Sequence, residues 1–150
     1  MELRIPPPLL ALILAVLMWA ISKMGHFASI ELEVITPLSI FVLVVGFAID
    51  ISAVISFRMA NTTINPLKPE KTRQLVKVGI YKKTRNPMYV GLFLILCSWA
   101  LWLGNYFAFP ILFFFVWYMT KFQIIPEEQM LKALFPEDFE SYQLTVRRWI

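Results

Sequence analysis

The sequence predicts an all-α membrane protein: a polytopic bundle of about four transmembrane helices, with a basic cytoplasmic loop and short C-terminal helices. Three observations carry this reading. First, 59% of the 150 residues are apolar and 16% charged, with a mean hydropathy of +0.67, whereas soluble domains hold about 45–50% and about 25%. A surplus of that size makes lipid the main solvent. Second, the apolar residues fall in long uncharged runs. Third, eight of the fourteen Lys and Arg residues crowd into one inter-run loop, the pattern of a cytoplasmic face. Disorder, a fibrous protein and an ordinary cytosolic enzyme are excluded. A single cysteine, Cys97, excludes a disulfide framework, and a single histidine, His26, excludes a His-rich metal site, so no metal is expected.

The first run, 5–22, enters through Pro6, Pro7 and Pro8, which suit the first helical turn because its N–H groups have no intrahelical partner. No small-x-small cleavage site follows it and further apolar runs do, so it reads as a span (8–23) rather than a signal peptide. The second run supports a span over 35–57 with one charge, Asp50. The third, 86–120, is uncharged throughout and too long for one crossing. Gly104-Asn105 divides it into a helical hairpin, 88–103 and 106–122. Trp99, Trp102, Tyr106, Trp117 and Tyr118 suit interfacial positions.

Arg58, Lys68, Lys71, Arg73, Lys77, Lys82, Lys83 and Arg85 lie between the second and third spans. Lys121, Lys132, Arg147 and Arg148 follow the fourth, and Arg4 precedes the first. Four spans therefore place this loop and both termini in the cytoplasm. The tail, 126–150, reads as two short helices. Pro126 with Glu127 and Glu128 opens one, with Met130, Leu131, Leu134 and Phe135 as its apolar stripe. Pro136 with Glu137 and Asp138 opens the next, with Phe139 and Tyr142 on one face. The whole chain reads as a single domain.

Few residues offer chemistry. A nucleophilic triad fails because the one His and the one Cys fall in different spans. Cys97 reads as a packing residue and His26 as an interfacial one. The five glycines are scattered rather than gathered in a phosphate loop, and sidedness already explains the basic residues without nucleic acid. Asp50 is different: a charge within a span costs at least roughly 2.5–3.5 kcal/mol, so it faces a cavity or a partner. A functional role and a packing hydrogen bond are equally open for it. The stretch from Gly79 to Gly91 enters the third span through a Pro-punctuated turn that gathers two phenols, an amide and a guanidinium at the membrane surface. It reads either as a helix start with snorkelling cations or as a binding turn. Glu127-Glu128 is either a favourable pair at a helix N-terminus, at about 0.3–1 kcal/mol each, or a carboxylate pair facing that turn.

Together, Gly79-x-Tyr81…Arg85-Asn86-Pro87-x-Tyr89-x-Gly91 and Glu127-Glu128-x-x-Leu131…Phe135…Tyr142…Val146 resemble the isoprenylcysteine carboxyl methyltransferase-like and phospholipid methyltransferase superfamily of integral-membrane enzymes. The resemblance covers roughly residues 65–149. It implies S-adenosylmethionine as cofactor, clasped by a loop over about 65–91. Carried over position by position, it places cofactor contacts on Arg73, Gln74, Leu75, Val76, Tyr81, Asn86, Pro87, Met88, Tyr89 and Glu127. It places the reacting end at Arg85, Asn86 and Glu128, and a substrate contact at Gln123. Three residues depart from the pattern. Asn86 stands where the turn often has His, Gln123 where isoprenylcysteine enzymes have Arg, and Pro136 where Gly is usual.

The implied function is methyl transfer to a lipophilic or lipid acceptor, by carboxyl O-methylation or by amine N-methylation of a phospholipid head group. The donor sulfonium is already activated, so the protein chiefly has to align the reactants and exclude water. Two readings from other classes stand beside it: a small transporter using Asp50, and a catalytically silent membrane subunit.

Overall fold

The computed structural model describes residues 5–23, 32–60 and 75–150. Residues 61–74 of the basic loop, with Arg73 and Gln74, and also His26 lie outside the described residues. Six α-helices follow in order: α1 (Pro7–Lys23), α2 (Leu32–Met59), α3 (Pro87–Leu103), α4 (Phe109–Met119), α5 (Ile125–Leu134) and α6 (Pro136–Thr145). A 3₁₀ turn at Gly79–Lys82 precedes α3, and no strand occurs among the described residues. The fold is all-α.

Two helical segments are long and apolar enough to cross a bilayer, Ile35–Met59 with 25 residues and Tyr106–Leu134 with 29. At 1.5 Å per residue, Ile35–Met59 reaches about 37 Å. The apolar α1 and α3, 17 residues each, reach about 26 Å. The outer surface of α2 and α4 is greasy: Phe41, Val44, Ile51 and Phe113 are all more than half exposed, as a lipid-facing surface requires and a water-facing one does not.

The hairpin forms where Gly104-Asn105 predicts it. Gly104 closes α3 at φ 60°, a left-handed conformation that costs glycine little. The Asn105 side-chain oxygen then accepts from the Phe107 N–H at 2.9 Å and starts the return. The tail departs from expectation at its beginning. α4 does not stop before Pro126 but runs on through a π-helical turn, Thr120–Ile124, into α5. Pro126 has no N–H to give to the preceding turn, and a widened turn is one way for a helix to pass such a gap unbroken. The expected apolar stripe of α5 also differs: Leu134 is exposed at 45%, whereas Glu128 is buried.

α3 is the central element. α2 lies along one side of it and α1 along another. Ser98 donates from α3 to the Ser39 carbonyl at 2.8 Å, and the Trp99 indole donates to the Ala15 carbonyl at 2.9 Å. Leu10, Leu14, Met18, Leu96, Phe115 and Met119 fill the core between α1, α3 and α4. Between α1 and α2 an almost wholly apolar groove of about 1000 Å³ stays open, running from Pro8 and Phe47 to Trp19, Thr36 and Trp102.

Candidate active site

The turn before α3 and the tail after α4 are far apart in sequence and close in space. Tyr81 sits in the 3₁₀ turn with its ring edge-on to Phe57, centroids 5.3 Å apart. It packs with Ala53, Val76 and Met88 in a small second core. Tyr142, on α6, donates its hydroxyl to the Tyr81 carbonyl at 2.6 Å. Tyr89, in the first turn of α3, donates its hydroxyl to Glu127 Oε1 at 2.5 Å. Two tyrosines of the turn are therefore tied to the tail, one through a carbonyl and one through a carboxylate.

Beside them, Glu128 accepts from Arg85 Nη2 at 2.7 Å, and from Arg148 Nε at 3.1 Å and Nη2 at 2.7 Å. The rest of the Arg85 fork reaches the Val146 carbonyl at 2.7 Å and the Gln143 carbonyl at 3.3 Å. Asn86 Nδ2 donates to the Arg148 carbonyl at 2.9 Å, and Trp149 Nε1 donates to Thr120 Oγ1 at 3.1 Å. Residues 143–149 are thus strapped across the turn. Nothing in the sequence marks Arg148 beyond its charge, and its part in this strap follows only from the tail's path.

α5 lies past Lys121 and carries Glu127, Glu128, Gln129 and Lys132, outside the apolar part of its helix. The two adjacent glutamates differ in electrostatics. Burial pushes Glu127 up to about 7, against a partial offset from the Tyr89 hydroxyl and with the Glu128 charge adding to the rise. Burial alone would raise Glu128 as well, but the hydrogen bonds from Arg148 and Arg85 outweigh it and hold that carboxyl below the usual carboxylate range. The Tyr81 phenol lies well above its ordinary value through burial first, then the nearby Tyr142, Glu127 and Asp50.

The remaining expected residues fall as follows. Leu75 and Val76 lead into the 3₁₀ turn, with Val76 buried against Tyr81. Pro87 is buried at the start of α3 with Met88 beside it. Gln123 is 2% exposed and donates to the Ile5 carbonyl at 2.6 Å, joining the π turn to the start of α1. Asp50 lies against Gly91: a methyl group added there would fall on its carboxylate. Among the described residues, no three His, Cys, Asp or Glu side chains are grouped to hold a metal.

The phospholipid methyltransferase profile matches residues 34–138, which takes in α2, the turn, α3, the hairpin and the acidic pair. The chain belongs to this family. An uncharacterized protein of Haemophilus influenzae is 41% identical over 63 residues, 42% of this chain and 100% of its own. The protein-S-isoprenylcysteine O-methyltransferase of Schizosaccharomyces pombe is 30% identical over 95 residues, 63% of this chain and 40% of that enzyme. No solved structure gives a significant match. Membership in the phospholipid methyltransferase family supports S-adenosylmethionine-dependent methyl transfer to a lipophilic or membrane-associated acceptor.

Proposed function

We propose that this phospholipid methyltransferase family protein binds S-adenosylmethionine between the turn and the tail, and methylates a lipid-like acceptor that reaches the site from the bilayer. The observation that carries this reading is the Tyr89–Glu127 hydrogen bond. It brings the two family motifs together at a partly buried carboxylate, near the packed Tyr81–Met88 cluster. The donor set fits the cofactor, which is a cation with a ribose diol and an aromatic base. Glu127 offers a carboxylate to the hydroxyls or the ammonium. Leu75, Val76, Tyr81, Pro87, Met88 and Tyr89 offer apolar and aromatic surface, and Asn86 an amide. Arg73 and Gln74 complete the proposed set from the segment just before Leu75.

The cofactor supplies an already activated methyl group, and the protein supplies alignment and a dry environment. Arg85, Asn86 and Glu128 stand at the reacting end in this reading, and they frame it by holding residues 143–149 over the turn. α1 to α4 form four spans, with the loop, the tail and both ends of the chain facing the cytoplasm. The groove between α1 and α2 receives the acceptor's hydrocarbon chain. Gln123 contributes by fixing the start of α1 at the groove's inner end.

A carboxylate acceptor finds little support here. At the position where isoprenylcysteine enzymes carry an arginine, Gln123 is neutral and already bonded to a carbonyl. Calorimetry of S-adenosylhomocysteine on detergent-purified protein tests the reading. Micromolar binding is expected, weakened at least about tenfold in Glu127→Ala, the loss of one charge-assisted hydrogen bond. Absence of binding to folded protein, in detergent and in nanodiscs, would overturn it.

A further inference from the structure

Asp50 is unlike any other carboxylate among the described residues. Its Oδ1 is fully shielded from solvent and has no hydrogen-bond partner among them. The helix has been shaped to admit it, because Gly91 of α3 leaves the space that a Cβ would take from this carboxylate. A buried carboxylate oxygen without a donor is costly, and a protein that only needed α2 to pack on α3 would place an apolar residue there. The sequence left a packing hydrogen bond open for Asp50, and that oxygen makes none among the described residues.

Its position along α2 is informative. Phe57 and Ala53 contact the Tyr81–Met88 cluster, and Asp50 follows one turn further into the helix on the same face, at i, i+3, i+7 spacing. One turn beyond Asp50, Phe47 lines the apolar groove, as does Leu92, the residue after Gly91. Asp50 thus occupies the level between the cofactor turn and the inner end of the groove.

We propose that Asp50 is the acceptor-facing carboxylate of this site, taking a hydrogen bond from a proton-bearing cationic head group whose hydrocarbon chain lies in the groove. This rests on the methyl-transfer reading above. A carboxylate acceptor would be repelled there, whereas a primary or secondary ammonium is drawn in. With such an ammonium, the N–H bond breaks and its proton passes to Asp50, which becomes the neutral acid. The nitrogen keeps the electron pair and is ready to be methylated. The proton leaves to water with the product.

The test uses the full chain in zwitterionic nanodiscs with saturating S-adenosylhomocysteine. Doxyl-labelled octadecylamine and doxyl-labelled stearate serve as probes, read by quenching of the groove tryptophans Trp19, Trp99 and Trp102. Wild type is expected to bind the amine at least tenfold more tightly than the acid. Asp50→Asn should bring the two within threefold of each other while S-adenosylhomocysteine affinity stays at wild type. Equal or acid-favouring binding by wild type overturns the proposal without any variant, and so does an amine preference that survives in Asp50→Asn. Should Asp50→Asn fail to fold, Asp50→Glu must retain a preference of the same sign. Absence of S-adenosylhomocysteine binding to wild type would instead sink the cofactor reading, and the amine-to-acid ratio would still decide Asp50.

Discussion

Glu128→Ala is the sharpest perturbation of the candidate site, because one carboxylate holds two guanidinium groups. The substitution removes three hydrogen bonds, at 2.7, 3.1 and 2.7 Å. The Arg85 and Glu128 side chains are only 10% and 11% exposed. Removing one partner of a buried pair costs about 3–5 kcal/mol, because the other charge is left uncompensated. The Arg148 side chain is 38% exposed, so water takes over much of its share and that arm adds about 1 kcal/mol at most. Arg85 keeps its two carbonyl acceptors, which argues for the lower end of the range. The expected loss is about 3 kcal/mol, against about 1 kcal/mol or less for Arg148→Ala. Thermal unfolding in detergent, with limited proteolysis of the tail, reads both. A Glu128→Ala variant as stable as wild type, or one no worse than Arg148→Ala, would refute the inference that this pair anchors the strap. The pH dependence carries the same sign. Glu128 is lowered in the folded state, so its contribution is present above its unfolded pKa and is lost as pH falls through the folded value.

Three further outcomes follow from the geometry. Because Glu127 is pushed up to about 7, S-adenosylhomocysteine binding should strengthen as pH rises through 7, and Glu127→Gln should flatten that profile. Ligand-free stability should run the other way over the same group, falling as pH rises toward 7; a flat wild-type profile in calorimetry would contradict both. Tyr142→Phe leaves the buried Tyr81 carbonyl without its donor and should lower stability by about 1–3 kcal/mol, measured by thermal unfolding. Gly91→Ala crowds the Asp50 carboxylate. Overpacking of about 1–3 kcal/mol outweighs the gain of about 0.8–1 kcal/mol in helix propensity, and Asp50→Ala in the same chain should relieve the crowding. A double variant as unstable as Gly91→Ala alone would place the clash elsewhere.

The helices were legible because lipid makes the hydrophobic pattern crude and strong: uncharged runs, a Gly-Asn break and prolines at helix starts mark α1, α3 and α6 nearly to the residue. The passage from α4 to α5 was not legible. Pro126 reads as a start signal by any local rule, and only packing reveals that a π turn carries the helix past it with Gln123 turned toward Ile5. The candidate site was half legible. Tyr81, Tyr89 and Glu127 announce themselves through spacing and resemblance. The partners that seat them are backbone carbonyls and late residues whose identity carries no local signal: Tyr142 on the Tyr81 carbonyl, Arg85 on the Val146 carbonyl, Asn86 on the Arg148 carbonyl. Contacts of that kind depend on where the chain goes, not on what the residue is.

The acidic pair shows how far neighbours in sequence can diverge. Consecutive residues on a helix point about 100° apart, so Glu127 turns toward Tyr89 while Glu128 turns toward the two arginines. One carboxyl is partly buried with a single neutral donor and is pushed up; the other is buried with two cations and is held down. The arginine-bound glutamate fixes the tail, and fixing the tail sets the depth of α5, which puts its neighbour at the Tyr89 hydroxyl. Glu128 thereby tunes Glu127 through position as well as through charge. Glu128→Gln, which keeps the shape but removes the charge, should therefore lower the Glu127 pKa only if the strap stays closed. If the strap opens, Tyr89 loses its partner and the proposed cofactor site loses its carboxylate altogether.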